Sequence, residues 1–313
     1  MTHQTRRDFL RHSAAAAGAF ALGPLAAHSA FGAGATPPDM SIARWSGDPQ
    51  PEEALGTVAT KLAEQALETL GGMGRFVGKG DVVWVKPNIG WDRSAEQAAN
   101  TNPDLVRTLI RLCYDAGAKK VKVGDYPCNE AKKTYANSGI AEAAKEAGAD
   151  VVYIDENRFR DADIGGDRIK TLPVYPEIVE CDLVISAPIV KHHGMTKVSL
   201  CMKNYMGVIG NRRVFHQDLP ACIRDLTAYM KPRLSVLDGI RTLTAHGPTG
   251  GNLADVKRMD TVAAGVDIVA LDAFGSELLG NRPEDVGTVV AGHKAGLGEI
   301  DYRKLALEEV AVS

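Results

Sequence analysis

Apolar residues follow two different spacings along this chain. Helical spacing, with an apolar residue every three or four positions, occurs in "EEALGTVATKLAEQALETLGG" (52–72) and "PDLVRTLIRLCYDAGA" (103–118). Short apolar runs rich in β-branched residues, typical of buried strands, occur in "DVVWVKPNIG" (81–90) and "RLSVLDGI" (233–240). The two patterns alternate, so the sequence predicts an α/β fold over residues 52–313, with a mostly parallel sheet and helices on both faces.

The first residues have the pattern of an export signal. "TRRDFLR" (5–11) contains twin arginines and is followed by the apolar run "AAAAGAFALGPLAA" (14–27) and by Ala33-Gly34-Ala35. We expect residues 1–35 to be a signal peptide that the twin-arginine export machinery recognises, which predicts a periplasmic protein. The apolar run is shorter than the roughly 20 residues of a membrane span, so we expect no stable span after processing. Residues 36–51 are predicted to be a linker or N-terminal arm.

Charge and cysteine usage exclude two classes of protein. The formal net charge is −3, and no basic stripe alternates with aromatic residues, which argues against nucleic acid as a partner. The five cysteines form no C-x-x-C pair, so the chain has no iron–sulfur cluster motif. Most of them are expected to be buried free thiols.

Polar residues stand at the ends of the predicted strands. Carboxyl ends of parallel strands meet at one edge of the sheet, so we expect a ligand site there. The residues are Lys86, Asn88, Asp125, Asp155, Glu156, Lys191, His192, His193 and Asp238. For Asp125 or Asp238 taken alone, a turn former or a solvated loop charge is the alternative.

The segment "KHHGMTKVSLCMKN" (191–204) supplies two candidate catalytic residues, His193 and Lys203. Adjacent side chains of an extended chain point to opposite sides, and His193 is the histidine we expect to face the ligand. Lys203 follows apolar Met202, and a lysine kept from water loses basicity. The alternatives are a histidine bonded to backbone and a lysine paired with Asp125 or Asp272.

A polar turn, "NRRVFHQD" (211–218), holds three further candidates. Arg212 and Arg213 can clamp a carboxylate or phosphate, or they are simply exposed. His216 precedes a predicted helix N-terminus, which favours neutral imidazole and therefore metal binding. We assign cofactor binding to Lys86, Asn88, Asp125, Arg212 and Arg213, and metal binding to His216. In "TAHGPTGGN" (244–252), the glycines either allow backbone N–H groups to approach an anion closely or form a mobile loop.

Several motifs together resemble the DUF362 domain family over about residues 80–305. They are "VKPNIG", "TNPDLVRTLIRLCYDAGAKKVKVGDYP", "CDLVISAPIVKHHGMTKVSLCMKNYMGVIG", "GVDIVALDAFGSELLG" and "AGLGEIDY". Some members of that family carry an additional ferredoxin-like domain, and the cysteine runs of such a domain do not occur in this sequence.

The order strand, histidine, lysine, histidine is also distantly similar to the catalytic domain of the nickel-pincer lactate racemases. That resemblance implies that His193 exchanges the proton, that Lys203 holds a nucleotide-derived cofactor and that His216 ligates the metal. The H-E-x-x-H, G-x-S-x-G, Walker A and G-x-G-x-x-G motifs are absent from the sequence.

We therefore expect an exported enzyme, racemase- or isomerase-like or an oxidoreductase. It would depend on a metal or a nucleotide-derived cofactor and exchange a proton or hydride on a small hydroxy or carboxylic acid. The alternatives are a non-catalytic periplasmic binding protein for an anionic or metal-bearing ligand, and an accessory protein for redox assembly.

Overall fold

The computed structural model describes residues 36–313, so the predicted signal peptide, residues 1–35, lies outside the described residues. No helix between residues 36 and 313 is both long enough and apolar enough to cross a bilayer.

Ten of the described strands form one sheet, and two more form a separate hairpin. The sheet has the order β12-β1-β11-β10-β7-β2-β3-β4, and β8 and β9 continue it beside β10. The sheet strands are β1 (Met40–Trp45), β2 (Val82–Pro87), β3 (Lys120–Val123), β4 (Asp150–Val151), β7 (Leu183–Ala187), β8 (Ile189–His193), β9 (Lys197–Ser199), β10 (Leu234–Leu243), β11 (Val256–Gly265) and β12 (Leu307–Val312). The hairpin strands are β5 (Arg160–Asp163) and β6 (Thr171–Val174).

The sheet is mostly parallel, as predicted. Strands β10, β7, β2, β3 and β4 run in one direction, and β12 is parallel to β1. Antiparallel pairing is confined to β11, with its neighbours β1 and β10, and to the pair β8–β9. The carboxyl ends of β2, β7 and β10 therefore meet at one edge, which positions the site.

Helices cover both faces, because successive residues of a strand point to opposite sides. In β2, Val83 and Val85 join one apolar core, whereas Trp84 between them joins the other. The first core contains α1, α2 and α4, and the second contains α7, α8 and α9. The helices are α1 (Leu55–Thr69), α2 (Pro103–Asp115), α3 (Ala131–Asn137), α4 (Ile140–Glu146), α5 (Pro176–Val179), α6 (Cys201–Asn204), α7 (Leu219–Met230), α8 (Ile268–Leu278) and α9 (Gly287–Lys294).

Side-chain caps begin three of these helices. Asn102 accepts hydrogen bonds from the backbone N–H groups of Asp104 and Leu105 at the start of α2. Asp218 and Asp267 cap α7 and α8 in the same way. Each cap satisfies donors that the first helical turn leaves without a backbone partner.

The segment 36–51 is not a linker. Met40–Trp45 forms β1, which lies between β11 and β12, and Met40 and Ile42 are fully buried. The α/β domain therefore begins at about residue 40 and not at residue 52.

Two strands are shorter than the apolar runs that contain them. In "VVYIDE" (151–156), only Val151 pairs, within β4 (Asp150–Val151), and the strand-end candidates Asp155 and Glu156 are exposed and do not line the cavity described below. The apolar run 183–193 is divided into β7 and β8 at Pro188, which has no N–H group to donate to a neighbouring strand. None of the five cysteines forms a disulfide, and only Cys128 is exposed.

Candidate active site

A cavity of about 250 Å³ opens at the carboxyl edge of the sheet. Three of the predicted residues, His193, Lys203 and His216, contribute polar side chains to its wall. The remaining lining residues are Gly194, Met195, Met206, Leu219, Gly247 and Pro248. The β8–β9 turn, helix α6, the turn before α7 and the loop 244–252 thus meet around one space.

Lys203 enters the cavity wall from α6, a helix of only four residues. No hydrogen bond or ion pair joins its ammonium to another group within residues 36–313. Burial lowers the pKa of Lys203 to about 8, and the cations Arg212 and Lys86 act in the same direction, while Cys128 opposes them. Lys203 is therefore a largely buried cation without a hydrogen-bond or ion-pair partner among residues 36–313.

Asp272 holds the helix that carries Lys203. Its two carboxylate oxygens accept hydrogen bonds from the backbone N–H groups of Cys201 (2.6 Å) and Met202 (3.1 Å). Burial raises the pKa of Asp272 to about 7. Asp272 does not pair with Lys203, as the alternative proposed, but caps the start of α6.

His193 is fixed in the wall by its own turn. Its Nδ1 atom accepts hydrogen bonds from the backbone N–H groups of Met195 (3.1 Å) and Thr196 (3.4 Å). Burial lowers the pKa of His193 to about 3, and Lys203 and Lys191 lower it further. The imidazole is therefore neutral, and its other nitrogen, Nε2, is left for the cavity.

His192 does not line the cavity and holds the loop 244–252. Its Nδ1 atom accepts a hydrogen bond from the Gly247 N–H group at 3.1 Å. A Cβ atom at Gly247 would lie 1.9 Å from the His192 carbonyl oxygen, so only glycine allows this approach. The Gly247 N–H group thus binds His192 and is not free for an anion.

The three candidates of the polar turn have different environments. His216 is exposed and lies at the rim of the cavity. Arg212 donates to the carbonyl oxygens of Met206 and Tyr126 and stacks over the Tyr126 ring, with 4.5 Å between the guanidinium carbon and the ring centroid. Arg213 is exposed and does not line the cavity. The predicted arginine clamp is not formed.

Lys86 and Asp125 form a buried ion pair next to the cavity and do not line it. The Lys86 Nζ atom lies 2.7 Å from Asp125 Oδ1 and also donates to Asn204 Oδ1 and to the Pro87 carbonyl oxygen. The backbone of Gly207 covers the pair so closely that a Cβ atom there would lie 1.6 Å from Asp125 Oδ1. With all these partners inside the protein, the pair supports the site and has no free capacity for a cofactor.

The sequence analysis placed Lys191 at the sheet edge without a specific role, and Lys191 is fully buried there. Its Nζ atom donates to Asn88 Oδ1 (3.0 Å), to the Ala99 carbonyl oxygen (2.7 Å) and to the carbonyl oxygen of Pro248 (3.5 Å). Burial lowers the pKa of Lys191 to about 7, and the neighbouring Lys203 cation adds to the effect. Its position directly after an apolar run is the signal that could have identified it. Asn88, a predicted cofactor ligand, is engaged by this lysine.

Asp238 is neither solvated nor in the cavity. It is fully buried and accepts hydrogen bonds from the N–H groups of Asn102 (2.7 Å) and Ile240 (3.0 Å). Its carboxylate therefore connects β10 to the start of α2.

The donor set does not fit a metal ion held by protein side chains alone. Among residues 36–313, no group of three or more His, Cys, Asp and Glu side chains is arranged to hold one. His216 at the rim belongs to no such group, and we derive no step through a metal.

Comparisons with known proteins place the chain in a family. It is 27% identical over 241 residues to the thylakoid-associated protein sll1697 of Synechocystis, which covers 74% of this chain and 73% of that relative. Among solved structures, the lactate racemase apoprotein of Thermoanaerobacterium thermosaccharolyticum matches with a TM-score of 0.45 and 14% identity. That match covers 75% of this chain but only 56% of the racemase chain. The model of the domain of unknown function DUF362 matches residues 83–277, well over half of the chain, and the protein belongs to this family.

Proposed function

We propose that the cavity binds a small organic anion, a hydroxy or other carboxylic acid, and that the protein exchanges a proton on it. Lys203 is the counter-ion of the bound anion, and His193 binds the anion from the same cavity wall. The observation that carries the proposal is the Lys203 ammonium, which faces a cavity without any partner from residues 36–313.

The energetics of a lone buried cation support a ligand. A charge kept from water is costly unless it is paired, and each of the other two buried lysines at this edge has several acceptors. Lys203 has no acceptor among the described residues. A bound carboxylate would supply its ammonium with an ion pair and with hydrogen-bond acceptors.

The size and lining of the cavity indicate the kind of anion. Sites for drug-sized ligands usually measure about 300–1,000 Å³, and this one is smaller, at about 250 Å³. Met195, Met206 and Leu219 give it apolar walls. A short carbon chain with a carboxylate at one end fits both properties.

Lys203 is also suited to proton transfer. An acid or base works best when its pKa lies near the working pH, and the pKa of Lys203 is lowered to about 8. Below that pH the ammonium binds the anion, and above it the neutral amine accepts a proton. Affinity for the anion is therefore expected to be highest below about pH 8 and to fall as the pH rises through that value.

Calorimetry with a panel of short 2-hydroxy and 2-oxo acids tests the binding site. Lys203→Met should weaken binding by about tenfold or more, since hydrogen bonds to charged groups contribute about 1.5–3 kcal/mol. Lys132→Met, which removes an exposed lysine of α3, should leave the affinity unchanged. Equal affinities of the Lys203 variant and the wild type would refute the proposal. An intact mass above the sequence mass that Lys203→Met abolishes would show instead that the lysine carries a covalent cofactor.

A non-catalytic binding protein is the second candidate, and the geometry of His193 favours it. Both backbone hydrogen bonds to Nδ1 occupy the nitrogen that would accept a proton. Exchange of the substrate C–H proton into D2O, followed by NMR, separates the two candidates. Exchange that depends on Lys203 supports the enzyme, and binding without exchange supports the binding protein.

Export to the periplasm by the twin-arginine machinery is also part of the proposal, supported by "TRRDFLR" at 5–11 and the apolar run after it. Replacement of Arg6 and Arg7 by lysine should leave unprocessed precursor inside the cell. Unchanged export of that variant would contradict it.

A further inference from the structure

We infer that His193 is a fixed hydrogen-bond donor to an oxygen atom of the bound anion and is not the base of the site. This inference rests on the proposed function, because it assigns a role toward the ligand of the same cavity. It also reverses the expectation that His193 accepts a proton.

The hydrogen bonds of the ring determine its tautomer. Two backbone N–H groups, of Met195 at 3.1 Å and Thr196 at 3.4 Å, point at Nδ1. An N–H group is only a donor, so Nδ1 must present its lone pair. A neutral imidazole carries one proton, which therefore lies on Nε2. The nitrogen that remains for the cavity is a donor.

The turn between β8 and β9 holds the ring in this orientation. His193 is the last residue of β8 and pairs with Lys197, the first residue of β9. The Thr196 hydroxyl donates to the Val198 carbonyl oxygen at 2.8 Å and closes the same turn. A ring flip would remove the acceptor from two turn N–H groups at once, and buried donors without acceptors are costly. The tautomer is thus a consequence of the fold.

The charges around the ring act in the same direction. The titratable groups that interact with His193 most strongly are Lys203, Lys191, His192 and His216, and none of them is a carboxylate. Together with burial they lower the pKa of His193 to about 3, so no second proton is taken up near neutral pH. The ring stays neutral while Lys203 titrates.

The two donors define what the ligand must present. The Lys203 ammonium and the His193 Nε2–H group are both donors, so the ligand atoms that they contact are oxygens with free lone pairs. A neutral N–H donor aimed at such an oxygen is most effective when negative charge develops there during the reaction. The two donors therefore favour an acid with a carbonyl oxygen beside the carboxylate. When the neutral Lys203 amine takes a proton from the carbon next to that carbonyl group, the C–H electron pair moves onto the carbonyl oxygen, to which His193 donates.

Two substitutions test separately the Nδ1 acceptor and the Nε2–H donor of the His193 ring. In His193→Asn, the side-chain oxygen takes the position of Nδ1 and preserves the turn, but nothing replaces the Nε2–H donor. In His193→Gln, the amide N–H group reaches the position of Nε2, and the acceptor for the turn is lost. We expect His193→Asn to remain as stable as the wild type and to bind the anion about tenfold or more weakly. His193→Gln should retain more of the affinity and be less stable. His293→Gln, at an exposed histidine of α9 that does not line the cavity, is the matched control for affinity.

Nitrogen NMR of the ring reads the tautomer without any ligand. We expect His193 to show a protonated Nε2 and an unprotonated Nδ1, without a change between pH 5 and pH 9. A protonated Nδ1, or wild-type affinity in His193→Asn, would overturn the inference. If the expected tautomer is found but no carboxylic acid binds the wild type, the proposed function fails, and the role of His193 toward the ligand fails with it.

Discussion

Two lysines of the same sheet edge show how strongly the surroundings determine the role of a residue. Lys86 is fully buried and has a carboxylate and two neutral oxygens as partners. Burial lowers its pKa, and the Asp125 carboxylate opposes the effect. Lys203 lies nearby, and its charge lowers the pKa of both Lys191 and His193. It has no hydrogen-bond or ion-pair partner among the described residues. The first lysine contributes to folding, and the second is available for a ligand.

The same substitution at the two lysines should therefore have opposite consequences. Lys86→Met leaves the Asp125 carboxylate buried without its cation and should lower the free energy of unfolding by about 3–5 kcal/mol. Lys203→Met removes an unpaired cation and should change that free energy by no more than about 1 kcal/mol. Urea denaturation at pH 7 measures both. Equal losses at the two positions would mean that Lys203 is a structural residue.

At the scale of elements, the site depends on a helix that could not form by itself. Helix α6 has four residues, far fewer than an isolated helix needs in water. The Asp272 carboxylate of α8 accepts its first two N–H groups and so joins the lysine to the second apolar core. A short element of this kind is positioned by tertiary contacts, which is why its local sequence does not reveal it.

Removal of this cap should affect the site more than the fold. Asp272→Ala should cost about 1–2 kcal/mol of stability, the usual effect of a lost cap, and should also weaken anion binding because α6 loses its anchor. Asp267→Ala is the matched control, since Asp267 caps α8 by accepting the N–H groups of Val269 and Ala270 but does not line the cavity. Thermal unfolding and calorimetry of both variants give the two readouts. If Asp272→Ala and Asp267→Ala reduce the affinity equally, the hydrogen bonds from Asp272 to α6 have no specific effect on the site.

At the scale of the whole molecule, local sequence patterns predicted the order of helices and strands along the chain. They did not predict which strands lie side by side in the sheet. The spacing of apolar residues gave α1 and α2 correctly. The rule that carboxyl ends of parallel strands share an edge also placed His193, the last residue of β8, at the cavity.

What the sequence could not supply is the order of strands in the sheet. Strand β7 lies between β2 and β10, and this arrangement decides which strand ends meet. The pairing of Lys86 with Asp125 and the contact of Lys191 with Asn88 depend on neighbours that are 39 to 103 residues apart in the chain. Such contacts follow from tertiary structure, so the sequence could not show that Lys86, Asn88 and Asp125 bond to partners inside the protein.

Strand β1 is the clearest case of a missed element. "MSIARW" is short and lies between the prolines at 37–38 and those at 49 and 51, so the surrounding composition resembles a linker. In the sheet it pairs with β11 through five residues and with β12 through six. An interior strand of this kind is held by partners that lie at the far end of the chain.

A chain that begins at residue 46 should therefore fail to fold, whereas one that begins at residue 36 should fold normally. The shorter chain loses both ladders of β1 and the burial of Met40 and Ile42, which are fully buried in the longer chain. Each of these side chains contributes about 1.5–3 kcal/mol, and the lost hydrogen bonds add to that loss. Typical domains have a net stability of only about 5–15 kcal/mol, so the deficit is of the same order as the whole. Near-UV circular dichroism and urea titration of the two chains measure the difference. A cooperative transition in the shorter chain, with the native spectrum, would show that residues 36–45 are an arm after all and that the sheet is complete without them.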